Sequence, residues 1–331
     1  MRALIQRLWQ GIVVIAIVAT TTFVLVRLAP GDPFSAAFEN PSLTPALRAQ
    51  WRAAYGLDGS IGTQFFHWIA NLLRGDFGWS VSTSQPVSRA IADALPHTLW
   101  LMSVALLIAF AIGMSLGALQ AAQHDRAADR SIGAVTLIGN ALPDFWLALV
   151  VLLAGAYWWR IFPVGGAADP LLPLAASTTA RVLDRVRHLA LPVLTLVILI
   201  AAPVARQQRS ALLNQLNADW VRTATAKGMP AWAVFRRHAW RTALGPVITL
   251  GGLALPALVG GAVFVERVFA WPGMGRLAAS AISSRDYHLV VGCVVVGAVM
   301  VVIGSTLADL LTLRLDPRAA QQEADISRNA A

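Results

Sequence analysis

The chain has 331 residues, of which 57% are hydrophobic and only 13% are charged. Soluble globular domains carry about 25% charged residues, so this composition excludes a soluble enzyme and indicates a polytopic membrane protein. The formal net charge is +9, but the basic residues lie between apolar stretches rather than in one patch, which argues against nucleic-acid binding. The single cysteine, Cys293, falls inside an apolar stretch and can form no intrachain disulfide.

Six apolar segments are each long enough to cross about 30 Å of hydrocarbon as a helix. They cover residues 8–28, 98–120, 132–158, 189–205, 247–265 and 287–307. Arginines precede the first segment, as in a signal peptide, but residues 24–33 contain no convincing small-residue cleavage site. The sequence therefore predicts an all-α fold with six transmembrane helices, of which the first is uncleaved.

The orientation of these helices follows from the basic residues in the short links. Such residues precede the first span, lie between the second and third and between the fourth and fifth, and follow the last. Because Lys and Arg concentrate in cytoplasmic loops, we expect both termini in the cytoplasm and the long segments 30–97 and 160–188 outside. The basic residues counted are Arg2, Arg7, Arg126, Arg130, those of 206–246, Arg314 and Arg318.

The outer segment 30–97 is too long for a simple turn and is rich in aromatic residues. Apolar side chains recur at three- and four-residue spacing in 43–55 and 62–73, which predicts two short helices separated by a turn at 56–60. Their aromatic faces favour anchoring at the membrane interface over a ligand cage.

Polar and helix-breaking residues inside the spans are candidates for a path through the membrane. Asn140, Pro143 and Asp144 interrupt the third span, and Pro256 interrupts the fifth. Asp144 is the strongest individual candidate, because an ionised carboxylate is unfavourable against lipid. Helix kinks and close packing account for the same residues equally well, so both interpretations stay open.

The link between the fourth and fifth spans contains a basic stretch, 217–246, that carries the signals of two helices. Asp219 predicts an N-cap, and Gly228 predicts a left-handed turn at the end of the first helix. Pro230 predicts the start of a second helix that runs to about residue 244. Two short helices are therefore expected to meet at Gly228.

The first of these helices has the composition of a docking site. Arg222 and Lys227 can pair with carboxylates on a partner, and the small side chains between them let a second backbone approach closely. An ordinary basic cytoplasmic loop is the alternative. The candidate docking residues are Asp219, Arg222, Thr223, Ala224, Ala226, Lys227, Gly228 and Met229.

The stretch 222–228 resembles the R-T-A-x-A-K-G loop of ABC-importer permeases of the dipeptide, oligopeptide and nickel transport family. Other segments resemble, in order, signatures of the first permease subunit of that family: 27–33, 55–58, 75–80, 264–266, 269–275, 285–287 and 316–318. The chain departs from the family pattern twice. Arg222 stands where other importers carry a glutamate, and the tyrosine usual before the last signature is absent.

This resemblance implies a MetI-like core of five helices, preceded by an additional helix and an outer subdomain. We expect residues 1–96 to form the first helix and the outer subdomain. Residues 97–315 would form the permease core with its cytoplasmic coupling loop at 206–246, and residues 316–331 would form a cytoplasmic tail. The implied location is the bacterial inner membrane, and the implied role is half of a translocation path for peptides.

The implied partners are a second homologous permease, two cytoplasmic ATPase subunits or domains, and an external substrate-binding protein. In the resembled family, the helix that corresponds to 219–229 sits in a groove of the ATPase and couples it to transport. The region at the outer end of the fifth span approaches the other subunits, which makes it a candidate outer gate; a simple salt-bridged loop is the alternative. The gate candidates are Glu266, Trp271, Pro272 and Gly273.

The sequence lacks the common catalytic patterns. Lys227 is the only lysine and does not lie in a P-loop, and there is neither an H-E-x-x-H pair nor a convincing G-x-S-x-G turn. We therefore expect no enzyme activity, cofactor or metal in this chain, with ATP and Mg bound by the ATPase partners. A secondary transporter or channel without ATPases is the competing hypothesis. Nickel-chelate import also stays open, although the absence of a metal-ligand cluster favours peptides.

Overall fold

The computed structural model of the protein describes residues 2–28, 60–173, 176–254 and 262–315, and these are almost entirely helical. The helices are α1 (Arg2–Leu28), α2 (Ile61–Leu73), α3 (Val87–Ala122), α4 (Ala127–Ala141), α5 (Asp144–Leu152), α6 (Thr178–Leu216), α7 (Asp219–Ala226), α8 (Ala231–Val234), α9 (Trp240–Ala254), α10 (Val263–Val268), α11 (Met274–Ser283) and α12 (Tyr287–Leu315). A two-stranded antiparallel hairpin, β1 (Trp79–Ser80) with β2 (Gln85–Pro86), places Trp79 opposite Pro86. The all-α prediction is confirmed.

Three described helices, α3, α6 and α12, are long and apolar enough to cross a membrane. A fourth span results if α4 and the helix that follows it are counted together, and α1 contains a shorter apolar helix, Trp9–Leu25. The predicted spans 98–120, 189–205 and 287–307 all lie within helices that extend past them. The apolar helices therefore form a polytopic membrane protein, as the hydropathy pattern predicts.

The third predicted span, 132–158, is wrong as a single helix. Helix α4 ends at Ala141, Leu142 adopts an extended backbone with ψ 138°, and α5 begins at Asp144 with its axis bent by 105°. Pro143 explains the break, because proline disfavours helical geometry in the residue before it and has no N–H to donate. A π-helical segment, Leu153–Trp158, then prolongs α5.

The second helix of the basic stretch also differs from its prediction. It does not end near residue 244, because α8 passes through a π-helical segment, Phe235–Ala239, directly into α9. The fifth predicted span, 247–265, thus begins inside α9, and its later part includes residues outside the described ranges. The predicted helix 43–55 also lies outside them, whereas the predicted helix 62–73 is confirmed by α2.

One of two compact units comprises Met1–Thr98 and Pro272–Val302. Its core joins the N-terminal part of α3 to α11 and α12 through eight buried side chains: Val87, Ala90, Ile91, Ala94, Met274, Ala281, Leu289 and Cys293. The aromatic residues of α2 pack on α1, with the Phe23 ring centroid 5.2 Å from that of Phe65 and 5.4 Å from that of Trp68. Part of the aromatic face predicted to be an anchor is therefore used in helix packing.

The other unit comprises Leu99–Trp271 and Ile303–Ala331, the latter described as far as residue 315. Helix α6 is its centre, and the buried side chains that pack together come from α3, α5, α6 and α10. Helix α3 crosses α6 at Gly113 and Gly117, the small-residue spacing that lets membrane helices approach closely. A Cβ atom at Gly113 would lie 2.7 Å from Cβ of Val204, and one at Gly117 would collide with the carbonyl of Ala205.

Candidate functional site

The predicted docking helix is α7, and its C-terminal end has the geometry expected from Gly228. That glycine has φ +81° and donates its N–H to the carbonyl of Thr225 at 2.9 Å. Met229 donates to the carbonyl of Ala224 at 3.2 Å. These two bonds form a Schellman motif, which closes a helix with a left-handed residue, so the predicted left-handed turn is confirmed.

The start of α7 differs from the prediction by one residue. Ala218 occupies the N-cap position with an extended backbone and makes no side-chain cap bond, and Asp219 is the first helical residue. The predicted cap at Asp219 is therefore wrong, because the Ala218 carbonyl already accepts the N–H of Val221 at 3.0 Å. The Asp219 carboxylate still stabilises the positive helix end and lies 3.6 Å from the guanidinium of Arg222.

Helix α7 is largely exposed in the single chain, with Val221 and Ala224 half-buried. None of its residues is buried, and the side chain of Arg222 is 81% exposed. Its two threonines bond within the helix, Thr223 to the carbonyl of Asp219 and Thr225 to that of Val221. Since only residues 217 and 218 separate α7 from α6, the exposed helix is joined almost directly to a membrane-spanning one.

The path candidates lie at the break between α4 and α5. Asn140, Pro143 and Asp144 are all exposed in the single chain, and Asp144 opens the first turn of α5. The structure thus brings these three together at one bend. Pro256, the fourth candidate, lies outside the described residues.

The gate candidates at the end of α10 are buried. Glu266 is 0% exposed and Trp271 is 2% exposed, and the N–H of Trp271 donates to the Glu266 carbonyl at 2.8 Å. The carbonyl of Phe269 accepts the N–H of Gly166 at 2.9 Å, so a second loop packs against this turn. In the other unit, Pro272 is partly buried, and buried Gly273 precedes α11 at its N-cap position.

Sequence reasoning missed a buried ion pair between Asp129 of α4 and Arg209 of α6. The guanidinium donates from Nε to Oδ1 and from Nη2 to Oδ2, both at 2.7 Å, which is the bidentate geometry of a strong pair. Three further groups contact the same carboxylate: the backbone N–H of Asp125 at 3.1 Å, Nδ1 of His124 at 3.3 Å and Nε2 of Gln120 at 3.3 Å. Asp129 is only 5% exposed.

This network holds Asp129 ionised. The hydrogen bonds from Arg209 are the largest influence and, against the opposing effect of burial, keep the pKa of Asp129 well below its usual range. The same bonds raise the pKa of Arg209. His124, Asp125 and Asp129 lie close enough to consider a metal ion, but Arg209 already occupies both oxygens of Asp129 and would repel a cation. The cluster is therefore an ion pair rather than a metal site.

A second buried carboxylate, Asp286, lies in the other unit and precedes α12. It accepts hydrogen bonds from the hydroxyls of Ser80 at 2.6 Å and Ser82 at 2.8 Å, and from the N–H of Ser82 at 2.9 Å. Its other oxygen accepts the N–H of Leu289 at 3.2 Å and so caps α12. Burial, the largest single influence, would raise the pKa of Asp286, but these donors together outweigh it and lower the pKa.

Comparison with known proteins agrees with this architecture. The family model described as "Binding-protein-dependent transport system inner membrane component" matches residues 109–321, and its N-terminal counterpart matches residues 1–102. The oligopeptide transport system permease protein AppB of Bacillus subtilis is 36% identical over 316 residues, which cover 95% of this chain and 98% of AppB. The probable D,D-dipeptide transport system permease protein DdpB of Escherichia coli is 37% identical, with 95% and 96% covered.

A further relative and a solved structure extend the comparison. The di/tripeptide transport system permease protein DppB of Pseudomonas aeruginosa is 35% identical, with 92% of this chain and 94% of DppB covered. Among solved structures, a chain of the MetNI methionine ABC transporter, in an inward-facing form, has a TM-score of 0.52 at 16% identity. That match covers 69% of this chain and 96% of the other, and it shows a shared MetI-like fold.

Fold and comparisons together define the class of protein, an integral membrane permease subunit rather than an enzyme. The chain belongs to the family of binding-protein-dependent transport system inner membrane components, the permease subunits of ABC importers. It is accordingly a multi-pass inner-membrane protein. This membership favours the importer over the competing hypothesis of a transporter that works without ATPases.

Proposed function

We propose that this permease forms half of an import path for peptides and that an ATPase subunit binds it at α7 and the following turn, Lys227–Met229. A second homologous permease completes the path, and two cytoplasmic ATPase subunits bind Mg-ATP. An external binding protein delivers the substrate. Both termini lie in the cytoplasm, and this chain itself carries no cofactor.

The observation that supports the docking role best is the exposed helix α7 with its closed C-terminal turn. A Schellman motif fixes the C-terminal end of α7, and only two residues join its other end to α6. A force that an ATPase exerts on α7 is therefore transmitted to α6 and is not absorbed by a long flexible link. Arg222 and Lys227 are both exposed and offer charge-assisted hydrogen bonds to carboxylates of a partner. An ordinary polar loop would need neither the fixed turn nor the short link.

Peptides are the proposed substrate because the relatives that match almost the whole chain are named for oligopeptide, D,D-dipeptide and di/tripeptide transport. The proposed path passes the break between α4 and α5, where Asn140, Pro143 and Asp144 are exposed in the single chain. Pro256, which lies outside the described residues, is proposed to line the same path. The outer gate is proposed at the turn that contains Glu266 and Trp271.

The domain organisation belongs to the same proposal. Residues 1–96 form the first helix and an outer subdomain, residues 97–315 form the permease core, and residues 316–331 form a cytoplasmic tail. The link 206–246 is the part of the core that couples to the ATPase. This division assigns α7 and the Asp129–Arg209 pair to the core.

The first experiment is purification of the full chain from its native membrane in mild detergent, followed by mass spectrometry of the bound proteins. A homologous permease and one or two P-loop ATPases are expected to copurify. Recovery of the chain alone, from detergent in which other membrane complexes stay intact, would contradict the proposed partners. Transport of labelled alanyl-alanine by the reconstituted complex then tests the peptide assignment.

The docking role is tested by Gly228→Val. A β-branched residue at φ +81° costs about 1–2 kcal/mol or more, so the turn after α7 distorts while insertion into the membrane is unaffected. We expect about a tenfold loss of ATPase binding if that cost falls on the docked geometry, measured by copurification and by uptake.

The matched control is Gly228→Asn, because asparagine tolerates the left-handed conformation. This variant should retain most of the ATPase binding and uptake. Normal uptake by a well-expressed Gly228→Val protein would refute the docking role of α7, as would equal losses in both variants.

A further inference from the structure

We infer that Asp129 and Arg209 are positioning residues of the transport cycle: their ion pair fastens the turn between α3 and α4 to α6, so that a displacement of α7 also moves α4. The inference rests on the proposed function in one respect, that the ATPase acts on α7. It names residues outside the docking surface and outside the membrane break.

The first step runs from α7 to Arg209. Helix α6 ends at Leu216, and Asn217 and Ala218 lead directly into α7. Arg209 lies seven residues before that end, which is two helical turns or about 10 Å. Both linking residues are hydrogen-bonded to the last turn of α6. The N–H of Asn217 donates to the carbonyl of Leu213, and the N–H of Ala218 donates to the carbonyl of Gln215, each at 3.1 Å. A force on α7 therefore reaches Arg209 through a segment in which helical backbone hydrogen bonds continue into the link.

The second step runs from Arg209 to α4. Asp129 lies in the first turn of α4, and its two oxygens accept two bonds from Arg209 across 80 positions of the sequence. The same carboxylate accepts the N–H of Asp125, which has a left-handed φ of +62°. One buried side chain thus fixes the tight turn before α4 and joins that turn to α6.

The packing around the pair keeps the two elements in a fixed register. A Cβ atom on Gly117 of α3 would lie 2.8 Å from Cβ of Gln208 and 3.0 Å from the backbone nitrogen of Arg209. Ala121 and Leu212 belong to one buried cluster just beyond this contact. The end of α3 and the end of α6 have no room to slide past each other while this contact persists.

The ion pair is the main polar contact between α6 and the first turn of α4. The side-chain amide of Gln208 is fully buried, and neither its nitrogen nor its oxygen has a hydrogen-bond partner among the described residues. Arg209, its neighbour in the sequence, makes two bonds of 2.7 Å to the facing element. Loss of this pair removes the bidentate link that the described residues form between α6 and the first turn of α4, while the apolar packing remains.

The third step runs along α4 to the membrane break. Helix α4 has 15 residues, which corresponds to a rod of about 22 Å. The fastened end carries Asp129, and the other end is the bend of 105° at Pro143. A rigid rod held at Asp129 passes a displacement of α6 to Asn140 near its far end, and so to the break, after which the exposed Asp144 begins α5.

A purely structural ion pair and a positioning pair predict different results. If the pair only stabilises the fold, its loss lowers the amount of assembled complex and leaves the behaviour of each surviving complex unchanged. If it transmits motion, the surviving complexes hydrolyse ATP without responding to the binding protein. The ratio of ATP hydrolysis with and without the binding protein separates these cases and requires no knowledge of the substrate.

The experiment compares Arg209→Gln and Asp129→Asn in the complex purified with its ATPase and binding-protein partners. We expect the ATPases to stay bound and the stimulation by the binding protein to fall at least about fivefold, the lower range of allosteric coupling. The reversed pair, Asp129→Arg with Arg209→Asp, should restore part of the stimulation. The matched control is Arg130→Gln, which removes an exposed charge from α4 next to Asp129, outside the link 206–246, and should behave as the unaltered protein.

Unchanged stimulation in an assembled Arg209→Gln complex would overturn the inference, as would an equal loss in Arg130→Gln. If no pair variant assembles, hydrogen exchange of the unaltered complex decides the question. Amides of 123–130 and 205–216 should change protection together when nucleotide binds, and a change in one segment alone would refute the pair as a link. Failure of the proposed function gives a different result, because then no ATPase copurifies with the unaltered chain.

Discussion

Asp129 and Asp286 are both buried aspartates, but they are stabilised in different ways. Asp129 is 5% exposed and accepts two bonds from a guanidinium 80 residues away, in the unit that contains α6. Asp286 is 4% exposed and accepts its bonds from two serines and two backbone N–H groups, in the unit that contains α12. The first carboxylate joins two helices through opposite charges, whereas the second holds a loop and caps a helix through neutral donors.

This difference predicts unequal tolerance to substitution. Breaking a buried ion pair leaves a charge without its partner, whereas losing an acceptor leaves hydroxyls that can rotate towards other groups or water. The pair of Asp129 is therefore the more vulnerable of the two sites. Removing a member of each site in turn tests whether the distinction holds.

The largest effect is expected from Arg209→Met, which strands the Asp129 carboxylate in a buried position. Breaking a fully buried pair costs about 3–5 kcal/mol. Since 31% of the Arg209 side chain remains exposed, we expect a loss nearer about 2–3 kcal/mol. The measurement is the Tm of the full chain in mild detergent, with tryptophan fluorescence as the signal for unfolding.

Arg206→Met is the control for the loss of an arginine from α6, because Arg206 is exposed. Its Tm should differ little from that of the unaltered chain. Equal shifts in the two variants would show that the bidentate pair contributes no more than a surface charge, and the contrast between Asp129 and Asp286 would collapse.

Hydropathy located the membrane helices because it depends on local composition alone. Helices α3, α6 and α12 were predicted in the correct places, and Gly228 was correctly assigned to a left-handed turn, since only a few neighbouring residues decide each feature. Pro143 was identified as an interruption, but the bend of 105° was not. The angle depends on packing against α6, which no local pattern contains.

The two buried carboxylates could not be predicted because each contact joins distant parts of the chain. Ser80 and Asp286 both lie in segments that resemble family signatures, yet they are separated by 206 positions and neither residue type requires the other. Asp129 lies between Arg126 and Arg130, and these arginines draw attention to membrane orientation rather than to a partner of Asp129 in α6. The single sequence shows the charges but carries no information about which of them meet.

The second effect is expected from Asp286→Ala, which removes the acceptor of Ser80 and Ser82 and the cap of α12. Hydrogen bonds to charged groups contribute about 1.5–3 kcal/mol and helix caps about 1 kcal/mol. Of the freed donors, Ser82 is exposed and can bond to water, whereas Ser80 and Leu289 are fully buried. We therefore expect a net loss of about 2 kcal/mol, measured as the same Tm.

The matched control is Asp76→Ala in the same unit. Asp76 is exposed, and its carboxylate accepts a bond from Gly78 at 2.9 Å, so its loss should cost less. A smaller shift for Asp286→Ala than for Asp76→Ala would contradict the assignment of Asp286 as the residue that fixes the loop to α12.

The smallest effect is expected from acid, because protonation changes the charge of Asp286 but leaves the side chain in place. Its pKa is lowered in the folded chain below the ordinary aspartate value of about 3.9. The unfolded chain therefore binds the proton more readily, so the stabilisation is present above that value and is lost as the pH falls through the folded pKa. Asp129 affects the pH dependence of stability in the same direction, since its pKa is also lowered in the folded chain. We expect Tm to fall between about pH 5 and pH 3, and Asp286→Asn should remove part of that slope. A Tm that rises on acidification, or an unchanged slope in Asp286→Asn, would show that neutral donors do not hold this carboxylate ionised.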